Sequence, residues 1–236
     1  MKLNVHEAGS GAKTALLVHG AMSDHGTWHA VEDVLTGRGY KVHSIDMRGH
    51  GRSPRGEYSD RALGDDLVEN LPAGADLAIG HSMGGRALAL AADRLRPKRA
   101  VYSDPGFPLG TVPAGAFDAM TRMVKESTAE SVRQFNPRWS DADIAAELEG
   151  FGRFDVEFFR GMELMDQNWA PGAPPVPSLV QLADPSLCVD PASAGRLSDE
   201  GYDVVTVAGA GHCVHRDDFG AFMGSVDAWL AERAGV

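Results

Sequence analysis

The chain reads as an α/β fold, a doubly wound and mostly parallel sheet. Short apolar runs rich in Val, Leu and Ile recur along it, and helical patterns separate them. Parallel strands need crossovers of that kind, with helices covering both faces. The 236 residues, 43% hydrophobic and 23% charged, suffice for one soluble globular domain with a sizeable core.

Taken in order, strands are expected at Lys2 to Glu7, Thr14 to His19 and Lys41 to Asp46. Between the last two, a helix follows His25-Gly26-Thr27 with Trp28, Val31, Val34 and Leu35 facing inward. A fourth strand at Asp76 to Gly80 runs directly into Gly80-His81-Ser82-Met83-Gly84-Gly85, which fits G-x-S-x-G. A sharp strand-to-helix turn strains its central residue and leaves space only for small residues two positions to either side, where Gly80 and Gly84 stand. The small-residue stretch through Ala92 then reads as a helix, and a fifth strand follows at Arg99 to Ser103.

Residues 105–176 break the rhythm with three helical patterns and no strand: Ala114 to Phe135, Ser140 to Gly150 and Asp155 to Trp169. Pro105 and Pro108 open this stretch, and Pro171, Pro174, Pro175 and Pro177 close it, as semi-rigid hinges would. It reads as a small helical cap. Its surplus of aromatic and Met side chains is expected to line an apolar pocket, and Trp139, Phe158, Met162 and Trp169 are the candidate substrate contacts. Strands at Ser178 to Ala183 and Asp203 to Ala208 return to the sheet, and a last helix runs from Asp217 with Phe219, Phe222, Val226, Trp229 and Leu230 on its apolar side.

Four motifs stand in a telling order: His19-Gly20 at the end of the second strand, Asp46 to Ser53 after the third, the Ser82 turn after the fourth, and Gly211-His212 near the C-terminus. Together they resemble the α/β-hydrolase superfamily over nearly the whole chain, most strongly over residues 15–96 and 203–234. The resemblance implies a core of residues 1–104 and 177–236, with the cap of residues 105–176 inserted after the sixth strand. It also implies that Ser82 is a nucleophile.

A serine hydroxyl needs a base within hydrogen-bond reach, and the base needs an orienting acid. His212, in a Gly-rich loop past the final strand, is the expected base, ahead of His215, which reads as part of a solvated helix start. Asp184, at the carboxyl end of its strand, is the expected acid and gives the order Ser, Asp, His. The loop lacks the glycine that superfamily members commonly carry there, so Asp104 and Asp190 stay open as alternatives. Oxyanion stabilisation falls to the backbone N–H groups of Ala21 and Met83. His19, His81 and the Asp46 to Ser53 segment read as scaffold, Arg86 as a helix-surface residue, and Cys213 as a filler of a small buried space.

The expected function is a serine hydrolase cleaving a carboxylic ester or lactone with an apolar portion through an acyl-enzyme. Carbon-carbon bond hydrolases, perhydrolases and amidases share this pattern, and a ligand receptor that retains the triad belongs to a different class. No cofactor and no metal is expected: the His25/His29 and His212/His215 spacings lack the carboxylate of an H-E-x-x-H motif. A net charge of −11 argues against nucleic acid and anionic membrane as partners. Two cysteines, an N-terminus without a long apolar stretch and the lack of a spanning segment point to the cytoplasm. Monomer and homodimer are both compatible with the sequence.

Overall fold

A computed structural model describes residues 1–108, 113 and 115–233. Among them are β1 (Val5–Ala8), β2 (Lys13–Val18), α1 (His29–Gly37), β3 (Tyr40–Ile45), α2 (Asp60–Asn70), β4 (Leu77–His81), α3 (Met83–Leu95) and β5 (Ala100–Ser103). Next come α4 (Ala116–Glu126), α5 (Ala129–Phe135), α6 (Asp141–Arg153) and α7 (Glu157–Leu164). The chain closes with β6 (Ser178–Leu182), α8 (Pro191–Asp199), β7 (Asp203–Thr206), α9 (Val214–Asp217) and α10 (Phe219–Glu232).

The strands form one sheet in the order β1-β3-β2-β4-β5-β6-β7. Every pairing is parallel except β1 with β3. All seven expected strands are present, within a few residues of their expected bounds. The central ones are buried on both faces: Ala15 to Val18 and Leu77 to His81 are all buried, which explains their unbroken apolar runs. One core packs Leu16, Val18, Ala78, Tyr102 and Val180 against α2, α3 and the helices after β5. The other packs Leu17, Ile79, Val101 and Leu179 against Trp28, α1 and α10. The chain order steps outward from β2 in both directions, so a crevice opens at the carboxyl ends of β2 and β4, where such sheets collect functional groups.

The helical insertion differs from expectation in two respects. It follows the fifth strand of this sheet, between Ser103 and Ser178, rather than the sixth. Among the described residues it also holds four helices where three patterns were read, because the first pattern breaks at Ser127 and Thr128. Thr128 is extended and exchanges reciprocal hydrogen bonds with Ser131, which restarts the helix as α5. Ala114, read as the start of that pattern, lies outside the described residues. Among the described residues, no helix is long and apolar enough to cross a membrane.

Candidate active site

Ser82 sits between β4 and α3 with φ 52° and ψ −119°, a conformation that L-residues rarely adopt. The glycines make the turn possible. A Cβ on Gly84 would lie 2.3 Å from the carbonyl oxygens of both Val18 and His19, and one on Gly80 would lie 2.6 Å from the Gly84 carbonyl oxygen. The turn therefore wedges the start of α3 against the end of β2 and lifts the hydroxyl into the crevice.

His212 follows β7 and reaches back over the sheet. Its Nε2 lies 2.9 Å from Ser82 Oγ, and its Nδ1 lies 2.6 Å from Asp104 Oδ2. An ionised carboxylate can only accept, so Nδ1 carries the proton and Nε2 is left to accept from the serine. Asp104 is completely buried, and its carboxylate also accepts the backbone N–H groups of Ala183 at 3.1 Å and Leu187 at 3.2 Å. Burial alone would raise its pKa, but the hydrogen bond and charge of His212, with further donors, outweigh it and hold the carboxyl below its ordinary value.

The acid read from the sequence is thus corrected. Asp184 is exposed, and its Oδ2 accepts the Gly209 backbone N–H at 3.1 Å rather than meeting the imidazole. Asp190 caps α8 through the Ser193 N–H at 2.6 Å. In the β5 to β6 register Ser103 is level with Gln181, so Asp104 leaves the sheet one residue past that level and Asp184 three past it. The longer run carries Asp184 to the surface turn beside Gly209.

Two backbone N–H groups, those of Ala21 and Met83, are expected at the oxyanion. Ala21 and Met83 line the same cavity as Ser82 and His212. His19 explains the first. Its Nε2 accepts the Met47 N–H at 2.9 Å, so its Nδ1–H donates to the Gly20 carbonyl at 2.7 Å. The C=O and N–H of a trans peptide point opposite ways, so tying back the Gly20 oxygen turns the Ala21 N–H away from His19. His81 braces the other side by donating from Nε2 to the His212 carbonyl at 2.9 Å, and burial holds its pKa down at about 4, so it does so as a neutral ring.

The cavity above Ser82 has a volume of about 330 Å³ and is mostly apolar, lined among others by Met22, Phe117, Met120, Met162 and Cys188. Of the four expected substrate contacts only Met162 is among its lining residues. Trp139 instead donates Nε1–H to Asp217 at 2.8 Å and lies under the Arg216 guanidinium. Phe158 is fully buried among His50, Tyr58 and Phe154, and Trp169 packs on Phe107 and Arg86. These three side chains are spent on packing within the protein rather than on the cavity.

Three further readings change. Arg86 is not on the surface: it is completely buried, paired with Asp60 at 2.6 Å and donating to the carbonyls of Gly106, Asp166 and Trp169, which fastens both hinges of the insertion to α3. His215 is not solvated, because α9 turns it inward to stack on Trp28 with ring centroids 4.3 Å apart. Glu147 and Arg216 were not anticipated at the cavity. The signal was present: Glu147 falls in the apolar stripe of α6 set by Ile144, Leu148 and Phe151.

As to metal ligands, His25 and His29 are engaged separately, with Asp46 at 2.7 Å and Asp143 at 3.0 Å. Asp24, His25 and Asp46 bring three ligand-type atoms within 4.8 Å of one another. Asp46 nonetheless spends both oxygens on Asn4, His25 and the Arg52 N–H, holding the turn after β3.

Comparison with known proteins bears on the family and the fold. The sequence model described as the alpha/beta hydrolase family matches residues 15–223. A pyrethroid hydrolase of Sphingobium wenxiniae is 32% identical over 81 residues, covering 31% of this chain and 28% of that protein. The pimeloyl-[acyl-carrier protein] methyl ester esterase of Aeromonas hydrophila is 33% identical over 114 residues, or 45% of this chain and 44% of its own. The chain thus spans less than half the length of either. Methylesterase 3 of Arabidopsis thaliana is 26% identical over 206 residues, 81% of this chain and 74% of that protein. Among solved structures, the enol-lactonase of Burkholderia xenovorans LB400 superposes with a TM-score of 0.70 at 21% identity, covering 97% of this chain and 96% of its own. The N-formylmaleamic acid deformylase of Pseudomonas putida S16 gives 0.76 at 23% identity, with 94% of each chain covered. At these identities the structures speak for the fold.

Proposed function

The chain belongs to the alpha/beta hydrolase family, and we propose that within it the protein is a serine hydrolase that cleaves a carboxylic ester or lactone with an apolar portion. The observation that carries the reading is the unbroken relay from Ser82 Oγ through His212 to Asp104, with contacts of 2.9 and 2.6 Å. His212 takes the serine proton as Oγ attacks the carbonyl carbon, and Asp104 stabilises the imidazolium that results. The N–H groups of Ala21 and Met83 receive the developing oxyanion, and Met83 adds the positive end of α3. The tetrahedral species collapses, the leaving group takes the proton from His212, and an acyl-serine remains. Water, deprotonated by the same imidazole, then releases the acid.

The apolar cavity and the esterase names among the relatives support an ester or lactone with a hydrocarbon portion. The insertion of residues 105–176 acts in this reading as the cap that closes the cavity, with residues 1–104 and 177–236 as the core.

Intact mass after exposure to a fluorophosphonate tests the reading without assuming a substrate. Wild type should gain one phosphonyl group, Ser82→Ala none, and Asp104→Ala should label far more slowly than Asp184→Ala. A folded wild type that resists the probe and turns over no ester overturns it.

A further inference from the structure

Away from Ser82, His81 and His212 the cavity is mostly apolar, except at one pole. There Ser23, Glu147 and Arg216 reach it from three separate elements: the loop after β2, helix α6 and helix α9. Ser23 lies two residues beyond Ala21, and Arg216 four beyond His212, so the pole is bracketed by the loop that offers the oxyanion N–H and by the loop that carries the base. Close packing puts Glu147 there. Gly150, one turn further along α6, lies against the backbone of Met22 and Ser23, where a Cβ would fall 3.0 Å from the Met22 carbonyl oxygen.

The charges at this pole are arranged asymmetrically. Arg216 is turned into the protein: one guanidinium nitrogen donates to Glu147 Oε2 at 2.8 Å, another to Cys213 Sγ at 3.2 Å, and its face covers the Trp139 ring at 3.8 Å, while its buried Nε meets no acceptor among the described residues. Its side chain is 2% exposed. Glu147 is engaged on one side only. Both of its hydrogen bonds, from Arg216 and from Ser23 at 3.5 Å, go to Oε2, and among the described residues Oε1 receives none. Glu147 lines the cavity, so this oxygen, without a protein donor, is open to one carried by a ligand.

The pair is nearly neutral as a whole, which disfavours a substrate anion: a carboxylate would meet Glu147 as well as an arginine whose charge Glu147 already offsets. Anchorage of α6 does not account for the pair either, since apolar residues of similar size hold two elements together as well as a buried ion pair does. We propose that Glu147 Oε1 accepts a hydrogen bond from a neutral donor, a hydroxyl or an N–H, carried by the substrate near its scissile carbonyl. Arg216 holds Oε2 and so orients the carboxylate. The substrate class is then a hydroxylated or amide-bearing ester or lactone rather than a plain hydrocarbon one. This rests on the serine hydrolase reading above.

Two ester series test it, one for each side of the scissile bond. The first is the 4-nitrophenyl ester of butyrate, 3-hydroxybutyrate and 3-oxobutyrate; the second is butyrate esterified with 3-methyl-, 3-hydroxymethyl- and 3-formylphenol. Wild type should prefer the hydroxyl member of one series over its plain member by about tenfold or more in kcat/KM, the worth of a buried hydrogen bond to a charged acceptor. Glu147→Gln should invert that choice. Arg216 needs an acceptor, so the amide oxygen turns to it and the NH₂ group faces the cavity, favouring the carbonyl member. Glu147→Leu with Arg216→Met should erase the preference, with thermal unfolding confirming that each variant folds. A role confined to packing would lower all members of a series alike. Fluorophosphonate labelling separates the two failures. If Ser82 labels but neither series shows the preference, or Glu147→Gln leaves it unchanged, the inference falls and the hydrolase reading stands. If Ser82 does not label and no ester turns over, both fall.

Discussion

The ends of β5 and β6 lie side by side in the sheet, and each delivers an aspartate to the rim of the crevice. Asp104 is wholly buried, with φ 39°, and its carboxylate is filled by His212 and two backbone N–H groups. Asp184 is exposed and takes one backbone N–H from Gly209. Two residues of register separate a group that can orient an imidazole from one that closes a surface turn. Strand-end position is therefore a weak guide to the acid; what selects it is where the chain leaves the sheet and how many donors meet it there.

The largest expected effect breaks this comparison most directly. Asp104→Asn should lower kcat by about 10³ to 10⁴-fold on any ester the enzyme accepts, because an amide no longer fixes the tautomer that leaves Nε2 free to accept. Asp184→Asn should stay within about threefold, as surface substitutions do. Equal losses in the two variants, in steady-state kinetics on folded protein, would return the acid to β6.

Next in size is the contrast between the sheet side and the insertion side of α3. Arg86→Met leaves Asp60 without its charge partner and the Gly106 and Trp169 carbonyls without their donor, and should cost about 3 kcal/mol in urea unfolding. A cost below about 1 kcal/mol would show that the hinges do not depend on it. Gly84→Ala, on the opposite side of the same helix, should cost about 2 kcal/mol through overpacking against rigid backbone, with Ser82 reactivity falling as the turn shifts.

The sequence disclosed whatever depends on local pattern. Seven strands followed from apolar runs, the strained strand-to-helix turn at Ser82 from two glycines around a serine, and the loop-holding contacts of His19 and His81 from their motifs. It did not disclose which strand end supplies the acid, since that is decided by register between chain segments about eighty residues apart. Ser103-Asp104-Pro105-Gly106 did carry a hint: an aspartate that ends a fully buried strand must leave the sheet still buried, and so needs donors. The aromatic residues of the insertion misled for a related reason. Composition shows that a helix is greasy without showing which stripe faces its neighbours, and Phe158 and Trp169 face the protein. Arg86 and His215 misled in the opposite sense, since polarity alone placed them outside while buried partners or aromatic rings hold them inside.

The smallest effect sharpens the comparison from the insertion side, where α6 meets α1. His29 donates to Asp143 at 3.0 Å, and its side chain is 36% exposed. The Asp143 hydrogen bond raises the His29 pKa above its ordinary 6.5, helped by the Asp143 and Asp33 charges and opposed by burial and Arg216. Burial would raise the Asp143 pKa, but His29 and Ser140 hold it below its ordinary 3.8. A raised histidine contributes stability that is complete below pH 6.5 and fades as pH rises through the folded-state value. The lowered aspartate contributes above pH 3.8 and loses its share as pH falls through its own folded-state value. The contact is therefore strongest between about pH 4 and 6.5 and weakens toward neutrality. Solvent screening keeps it under about 1 kcal/mol. His29→Gln should lower the midpoint of urea unfolding at pH 5.5 by more than at pH 8.5. An equal change at both values would mean that the ring fastens α6 by shape alone, and that the insertion is held on the sheet chiefly by Arg86 and the hinges.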